Sequence, residues 1–260
     1  MSQSDYGAGG IIGMLTPQAN TTVEPEFWAL MPADWSMLNA RLTSDKSTIE
    51  ERLVDYTTRF VHTAEDFANA PVDVIGIGCT GASYLIGRDK EQELMAEISE
   101  RHNKRCYTAA AATILALNAV SAKKIALLSP YPDSLNEKCV PYWESFGFEV
   151  VKVTGPKLVE SKFHPIYAMT GAATLASMDA LKDTDCDAIV MLGTGMPTLL
   201  PLIARAGWSG PVPISCNLAL AWACVEPQRG RQLDASTLAE WVSAEEWGPR
   251  FKALFPAAAD

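Results

Sequence analysis

The stretch Val74-Ile75-Gly76-Ile77-Gly78-Cys79-Thr80-Gly81-Ala82-Ser83 decides the fold. An apolar run of strand type stops at a Gly-Cys-Thr-Gly turn, and a helix-like stretch follows. In open α/β proteins the carboxyl ends of the strands form the site crevice. A thiol placed there faces substrate, and its small neighbours leave backbone N–H groups free to hold an anion. The competing reading is a buried structural cysteine, because Cys is among the most buried residue types.

Seven more apolar runs flank this one. Ile11–Thr16, Trp35–Leu42, Val72–Gly78 and Cys106–Ala109 precede residue 120; Lys124–Ser129, Phe148–Val153, Ala188–Leu192 and Val212–Ser215 follow it. Each is short and bounded by turn residues, as buried parallel strands are. Helical patterns lie between them. Ser47-Thr48-Ile49-Glu50 reads as a capping box, and Leu53, Tyr56, Phe60 and Ala64 share one face of the segment that runs to Phe67. Lys90–His102, Ala109–Val120, Ser134–Phe146, His164–Leu181, Thr198–Ala206 and Asn217–Val225 are helix-prone, and an amphipathic tail closes the chain.

Strand and helix alternate, which predicts α/β architecture with parallel sheets covered by helices on both faces. The order repeats. Both halves open with a strand followed by Pro, at Leu15-Thr16-Pro17 and Leu128-Ser129-Pro130. Both contain a strand that ends in a Gly-containing turn, at Gly78-Cys79-Thr80-Gly81 and Gly193-Thr194-Gly195. Two similar α/β units with a cleft between them follow. The division places residues 1–117 in a first unit, completed by 218–260, and 118–217 in a second.

The chain has 260 residues and a formal charge of -10, so it lacks the basic footprint of a nucleic-acid binder. An anionic small molecule stays open as a ligand, because local dipoles outweigh net charge. The first residues show neither a basic start nor an apolar core segment, and no run is long enough to span a bilayer, which predicts a cytoplasmic protein with no membrane partner. Six cysteines without a CxxC pair read as reduced thiols, and three histidines outside metal spacing argue against zinc. Exposed apolar helix faces allow a homodimer.

Four strand-end segments converge on the expected cleft: Thr16-Pro17-Gln18-Ala19-Asn20-Thr21-Thr22, Cys79-Thr80-Gly81, Ser129-Pro130-Tyr131-Pro132-Asp133 and Gly193-Thr194-Gly195-Met196-Pro197. They are rich in neutral donors and poor in cations, a composition that suits carboxylates held by N–H and O–H groups. Asn20 reads equally as a helix cap, and Tyr131 and Thr194 as plain turn residues. Trp28, Trp35 and Trp222 read as cleft walls or as core. There is no GxGxxG before a helix, no Walker lysine and no serine in a nucleophile elbow.

The run Gly13-Met14-Leu15-Thr16-Pro17-Gln18-Ala19-Asn20-Thr21-Thr22-Val23-Glu24-Pro25-Glu26 resembles the opening of maleate cis–trans isomerases, which belong with the aspartate/glutamate racemases and arylmalonate decarboxylases. Cys79-Thr80, Ser129-Pro130-Tyr131 and Met196-Pro197-Thr198-Leu199 match in the same order. The resemblance covers about residues 10 to 225 and is more specific for the superfamily than for the reaction. It implies two flavodoxin-like domains related by a pseudo-twofold, an active site between them, and neither metal nor organic cofactor.

The resemblance also implies one cysteine from each half in isomerases and racemases. Cys79 matches the first, while Thr194 stands where the second is expected. Cys216 lies after the next strand and is a further candidate, as is Gln18. Asn20, Thr80 and Tyr131 match positions that hold substrate carboxylate, with Gly81 and Gly195 beside them. The Asn that grips substrate in maleate isomerases is not evident around Glu160-Ser161-Lys162. The expected activity is cysteine-dependent isomerisation of a small dicarboxylate. Cys79 adds as a thiolate, its pKa lowered by N–H donors or a helix N-terminus. The alternatives are decarboxylation of a malonate with Cys79 as lone proton donor, racemisation with Cys79 and Thr194, and a non-catalytic carboxylate-binding module.

Overall fold

The structure, a computed structural model, describes residues 5–156 and 165–259. The position of the missing substrate-gripping Asn, around residues 160–162, lies outside them. The first half comprises β1 (Gly10–Pro17), α1 (Val23–Leu30), β2 (Trp35–Leu42), α2 (Ile49–Ala64), β3 (Val74–Ile77), α3 (Thr80–His102), β4 (Arg105–Thr108) and α4 (Ala109–Ala119). The second comprises β5 (Lys124–Leu128), α5 (Asp133–Glu144), β6 (Glu149–Thr154), α6 (Gly171–Asp179), β7 (Ala188–Met191), α7 (Leu199–Ala204), β8 (Val212–Ser215) and α8 (Cys216–Val225). Three short helices follow: α9 (Ala235–Val242), α10 (Gly248–Leu254) and α11 (Pro256–Ala259).

Two four-stranded sheets result, in the orders β2-β1-β3-β4 and β6-β5-β7-β8, and every pairing is parallel. The central strands are closed to water on both faces: every residue of β3 and of β7 is buried. That is why the central strands read as apolar runs rather than alternating ones. β2 and β6 are edge strands, and they carry the exposed Leu38 and Val153.

Helix ends follow local chemistry. Thr108 caps α4 through the Ala111 N–H, and Ser215, at the equivalent place in the second half, caps α8 through the Asn217 and Leu218 N–H groups. The capping box of α2 is one residue later than expected: Thr48 accepts from Glu51 N, and the Glu51 carboxylate accepts from Thr48 N. Leu53, Tyr56, Phe60 and Ala64 are all buried, as their spacing predicts. The helix expected at 90–102 starts at Thr80 and is broken at Gly87, whose φ of +75° suits a residue without Cβ.

One hydrophobic core runs through both halves, from Ile12, Met14 and Val74 to Leu127, Ile189 and Val190. α4 and α8 pack against each other at its centre. Trp222 on α8 is fully buried, Trp35 nearly so, and Trp28 is half exposed; none lines the cleft described below. The C-terminal helices return to the first half. α10 packs on α1, and Arg250 donates to the carbonyls of Ala29 and Leu30 at the open end of that helix. Among the described residues no helix is long and apolar enough to cross a membrane.

Candidate active site

In each sheet the strand order reverses between its first and third strands, β1/β3 and β5/β7, and ligands of such sheets bind at the carboxyl ends beside that reversal. The two reversal points face one another. The cleft between them takes its walls from both halves: Asn20, Cys79, Thr80 and Gly81 from one, Tyr131, Gly193, Thr194 and Gly195 from the other. Thus seven of the residues expected to act or to bind, Cys79, Thr194, Asn20, Thr80, Gly81, Tyr131 and Gly195, line one cleft.

Cys79 is the N-cap of α3 and is buried. Burial pushes its thiol up to about 12, and the opposing pull of the Ala82 N–H is smaller. The helix N-terminus therefore does not produce the low-pKa thiolate that the sequence suggested; desolvation outweighs it. The thiol keeps its proton at neutral pH.

Thr194 faces Cys79 across the pseudo-twofold, but its hydroxyl is engaged. It donates to Gly78 O at 2.7 Å and accepts from Asn20 Nδ2 at 3.0 Å. Asn20 is engaged on its other side too, where Oδ1 accepts from the N–H groups of Thr22 and Val23 at the start of α1. Asn20 thus serves the start of α1 with one side-chain atom, while the other reaches across the cleft wall to Thr194. Thr22 adds a third tie between the halves, from its Oγ1 to Gly195 O at 2.9 Å.

Thr80 Oγ1 and the Tyr131 hydroxyl lie 2.8 Å apart, a fourth tie across the cleft floor. Burial pushes the Tyr131 phenol well above its ordinary range, so it stays a neutral donor. Two glycines keep the floor open. Gly193 has φ +79°, and a Cβ there would sit 2.7 Å from the Pro130 ring. A Cβ on Gly195 would sit 2.7 Å from the ring of Tyr167. Any larger residue at either place would close the cleft or break its turn.

Two expected residues fall elsewhere. Gln18 is exposed, and its Oε1 accepts from Ser44 N at 2.6 Å, so it ties the β1 and β2 ends rather than lining the cleft. Cys216 is buried behind Gly193, against the Gly193 N–H and the Thr113 hydroxyl, with its thiol pushed up to about 12 by burial. It is part of the α4–α8 core, because the strand it follows is the sheet's last and not its central one.

The structure adds residues that the strand-end reading missed. Arg52, Tyr56 and Tyr167 line the cleft from α2 and from the turn before α6. Arg52 adds one cation to a cleft whose strand-end segments are poor in them. Its Nε and Nη2 donate to the carbonyls of Thr48 and Ser47, and among the described residues it has no carboxylate partner. Burial raises the Tyr56 phenol, and Cys79 adds to that rise while Arg52 opposes it. Arg52 shares a helix face with Tyr56, four residues on, and that spacing was the available signal. Among the described residues no group of three or more His, Cys, Asp or Glu is placed to hold a metal ion.

Comparison with known proteins agrees with this geometry. A family model described as arylmalonate decarboxylase matches residues 12–238. A maleate isomerase of Pseudomonas putida is 31% identical over 150 residues, which are 54% of this chain and 60% of that relative's length. The crystal structure of the maleate isomerase Iso from Pseudomonas putida S16 superposes with a TM-score of 0.77 at 23% identity, covering 88% of this chain and 99% of that one. A mutant maleate cis–trans isomerase of Nocardia farcinica with a covalently bound succinylcysteine intermediate superposes at 0.74 and 21% identity, covering 89% and 98%.

Proposed function

The chain belongs to the arylmalonate decarboxylase family, and from that premise we propose that it is a cofactor-independent isomerase of a small cis-enedioate, with maleate as the reference substrate. One observation carries the reading: a single buried thiol faces a cleft whose other polar groups are neutral donors, with one arginine in its wall. Relatives that bear the name maleate isomerase support it, as does a succinylcysteine in one of them.

The proposed reaction balances within the cleft. Cys79 starts as a thiol, because burial holds its proton. Its sulfur bonds to one alkene carbon, and the π pair moves toward the carboxylate beyond the other. That carboxylate, now an enediolate, is stabilised by the Tyr131 and Thr80 hydroxyls. The thiol proton goes to the second carbon, so S–H has added across the double bond. The central bond is then single and rotates. Loss of the same S–H elements gives the trans product and restores Cys79. Asn20 and Tyr131 hold one carboxylate, and Arg52 takes the other. Thr194 positions Asn20 and Gly78 and transfers no proton, since its own is held by a backbone carbonyl.

A second reading rests on the protonated state of Cys79. A thiol that keeps its proton to about 12 is an acid ready to donate, as a malonate decarboxylase with one thiol requires. Proton NMR of the purified protein with maleate in buffered deuterium oxide, beside Cys79→Ala, tests the first reading. Fumarate formed only by the unmodified protein supports it. Unchanged maleate, with carbon dioxide released from an aryl-substituted malonate, replaces it with the second. Six free cysteines suit a reducing compartment, so the proposed location is the cytoplasm.

A further inference from the structure

Glu26 is a buried carboxylate with no cationic partner among the described residues. It leaves α1, in the first half, and ends among groups of the second. Thr198 N donates to it at 2.5 Å, Thr198 Oγ1 at 2.9 Å, Leu199 N at 3.3 Å and Asn217 Nδ2 at 2.7 Å. Two of these are N–H groups at the start of α7, and all four are donors. The same Asn217 Nδ2 also donates to Thr194 O at 3.1 Å, in the cleft turn. On the far side of this network Ser215 Oγ lies 2.7 Å from Thr198 Oγ1.

We propose that Glu26 is a positioning residue: its carboxylate holds the Asn217 amide in the one orientation that fixes the Thr194 carbonyl, and so sets the second wall of the cleft. The donor count carries the argument. A charged carboxylate satisfies all four donors, whereas a protonated one brings a fifth and loses acceptor capacity. One buried acceptor stands without a partner beside it, Asn217 Oδ1. Turning the Asn217 amide over presents that oxygen to the Glu26 proton and takes Nδ2 away from Thr194 O. Proton uptake by Glu26 and release of the Thr194 turn are therefore one event.

Burial places the switch in a usable range. Burial raises Glu26 from 4.5 to about 7, and the Thr198, Asn217 and Leu199 donors limit that rise. The titratable group that faces it from α8 is Cys216, which stays neutral there. Tyr167, on the wall of the neighbouring cavity that Glu26 also lines, stays neutral as well. The sign follows: the turn is held above about pH 7 and released below it.

The inference rests on the reading of the cleft as an active site, but not on which reaction runs there. The test compares the full-length protein with Glu26→Gln and Asn217→Ala. A Gln at this position replaces one acceptor oxygen with an NH₂, adding two donors at every pH. With maleate, Glu26→Gln is expected to lower kcat/KM roughly tenfold at pH 8, the scale of a lost hydrogen bond to a charged group. Its pH profile is expected to lack the inflection near 7, and it should add nothing in the Asn217→Ala background. Amide exchange at residues 193–195, corrected for intrinsic rate, should rise in the unmodified protein between pH 8 and pH 6 and be high in Glu26→Gln at both. An unchanged inflection in Glu26→Gln overturns the proposal. So does equal exchange at 193–195 in the unmodified protein at both pH values, a measurement that needs no variant to fold. Absence of fumarate at every pH sinks the isomerase reading instead, and the exchange result still decides this one.

Discussion

The turn after β3 and the turn after β7 occupy one place in two copies of a topology, yet their side chains do opposite work. Gly78-Cys79-Thr80-Gly81 presents a thiol with no side-chain partner among the described residues, at the start of α3. Gly193-Thr194-Gly195 presents a hydroxyl whose donor and acceptor roles are both taken, by Gly78 O and Asn20 Nδ2. Symmetry of the fold has brought two equivalent positions together, and chemistry has made them unequal. In the proposed reaction one half reacts and the other holds the reacting half still. A symmetric scaffold therefore does not imply a symmetric mechanism.

Four changes would break or sharpen that contrast. Cys79→Ala should abolish fumarate formation, a loss of roughly a thousandfold or more for removal of a nucleophile. Cys79→Ser should keep dicarboxylate binding by calorimetry. Retained turnover in Cys79→Ala would mean that the reacting half has been misassigned. Next in size is the pH dependence of Cys79 itself. With its thiol pushed up to about 12, the folded state favours the protonated form, and the thiolate fraction climbs with pH throughout the neutral range. Alkylation of Cys79, followed by peptide mass spectrometry, should rise about tenfold per pH unit from 7 to 9. A plateau near pH 7 would show a tuned thiolate.

Smaller effects test the holding half. Thr194→Val leaves Asn20 Nδ2 and Gly78 O without their partner, at a cost of about 1–3 kcal/mol for an unsatisfied buried group. That corresponds to a drop of roughly 5- to 150-fold if it is felt in the transition state. Thr194→Ser should remain close to the unmodified protein. If Thr194→Cys instead raised the rate, the second position would be chemical after all. Arg52→Met should act on KM more than on kcat, roughly two- to fivefold for a partly exposed ion pair, and more at low salt than at high. A mono-anionic analogue should lose nothing. An equal loss for both ligands would remove Arg52 from carboxylate recognition.

Much of this arrangement is legible in the chain, for a physical reason. Parallel strands buried on both faces must be apolar throughout, so the central strands appear as short apolar runs, and β2 and β8 match their expected bounds residue for residue. Sites at strand ends follow from the same reading, which is how Asn20, Cys79, Tyr131 and Thr194 came to one cleft. What stayed hidden is lateral. Arg52 lies on a helix whose charged residues mostly face solvent, and only its place four residues before the inward-facing Tyr56 marks it as the one that borders a cleft. Glu26 was visible within a motif, but its partners are 172 to 191 residues away. Gln18 and Cys216 show the converse error. Both sit next to strand ends, yet one side chain turns outward to Ser44 and the other follows a sheet's outer strand and is buried at the start of α8.

The grip of Arg250 on Ala29 and Leu30 has a consequence in time. The helix it closes, α1, carries Glu26 and starts where Asn20 caps it. During synthesis the reactive thiol and the donors around it leave the ribosome well before α10 does. Until α10 arrives, the carbonyls at the end of α1 lack the guanidinium that closes them. The helix that carries Glu26 is therefore completed by a residue made long after the thiol it helps to enclose.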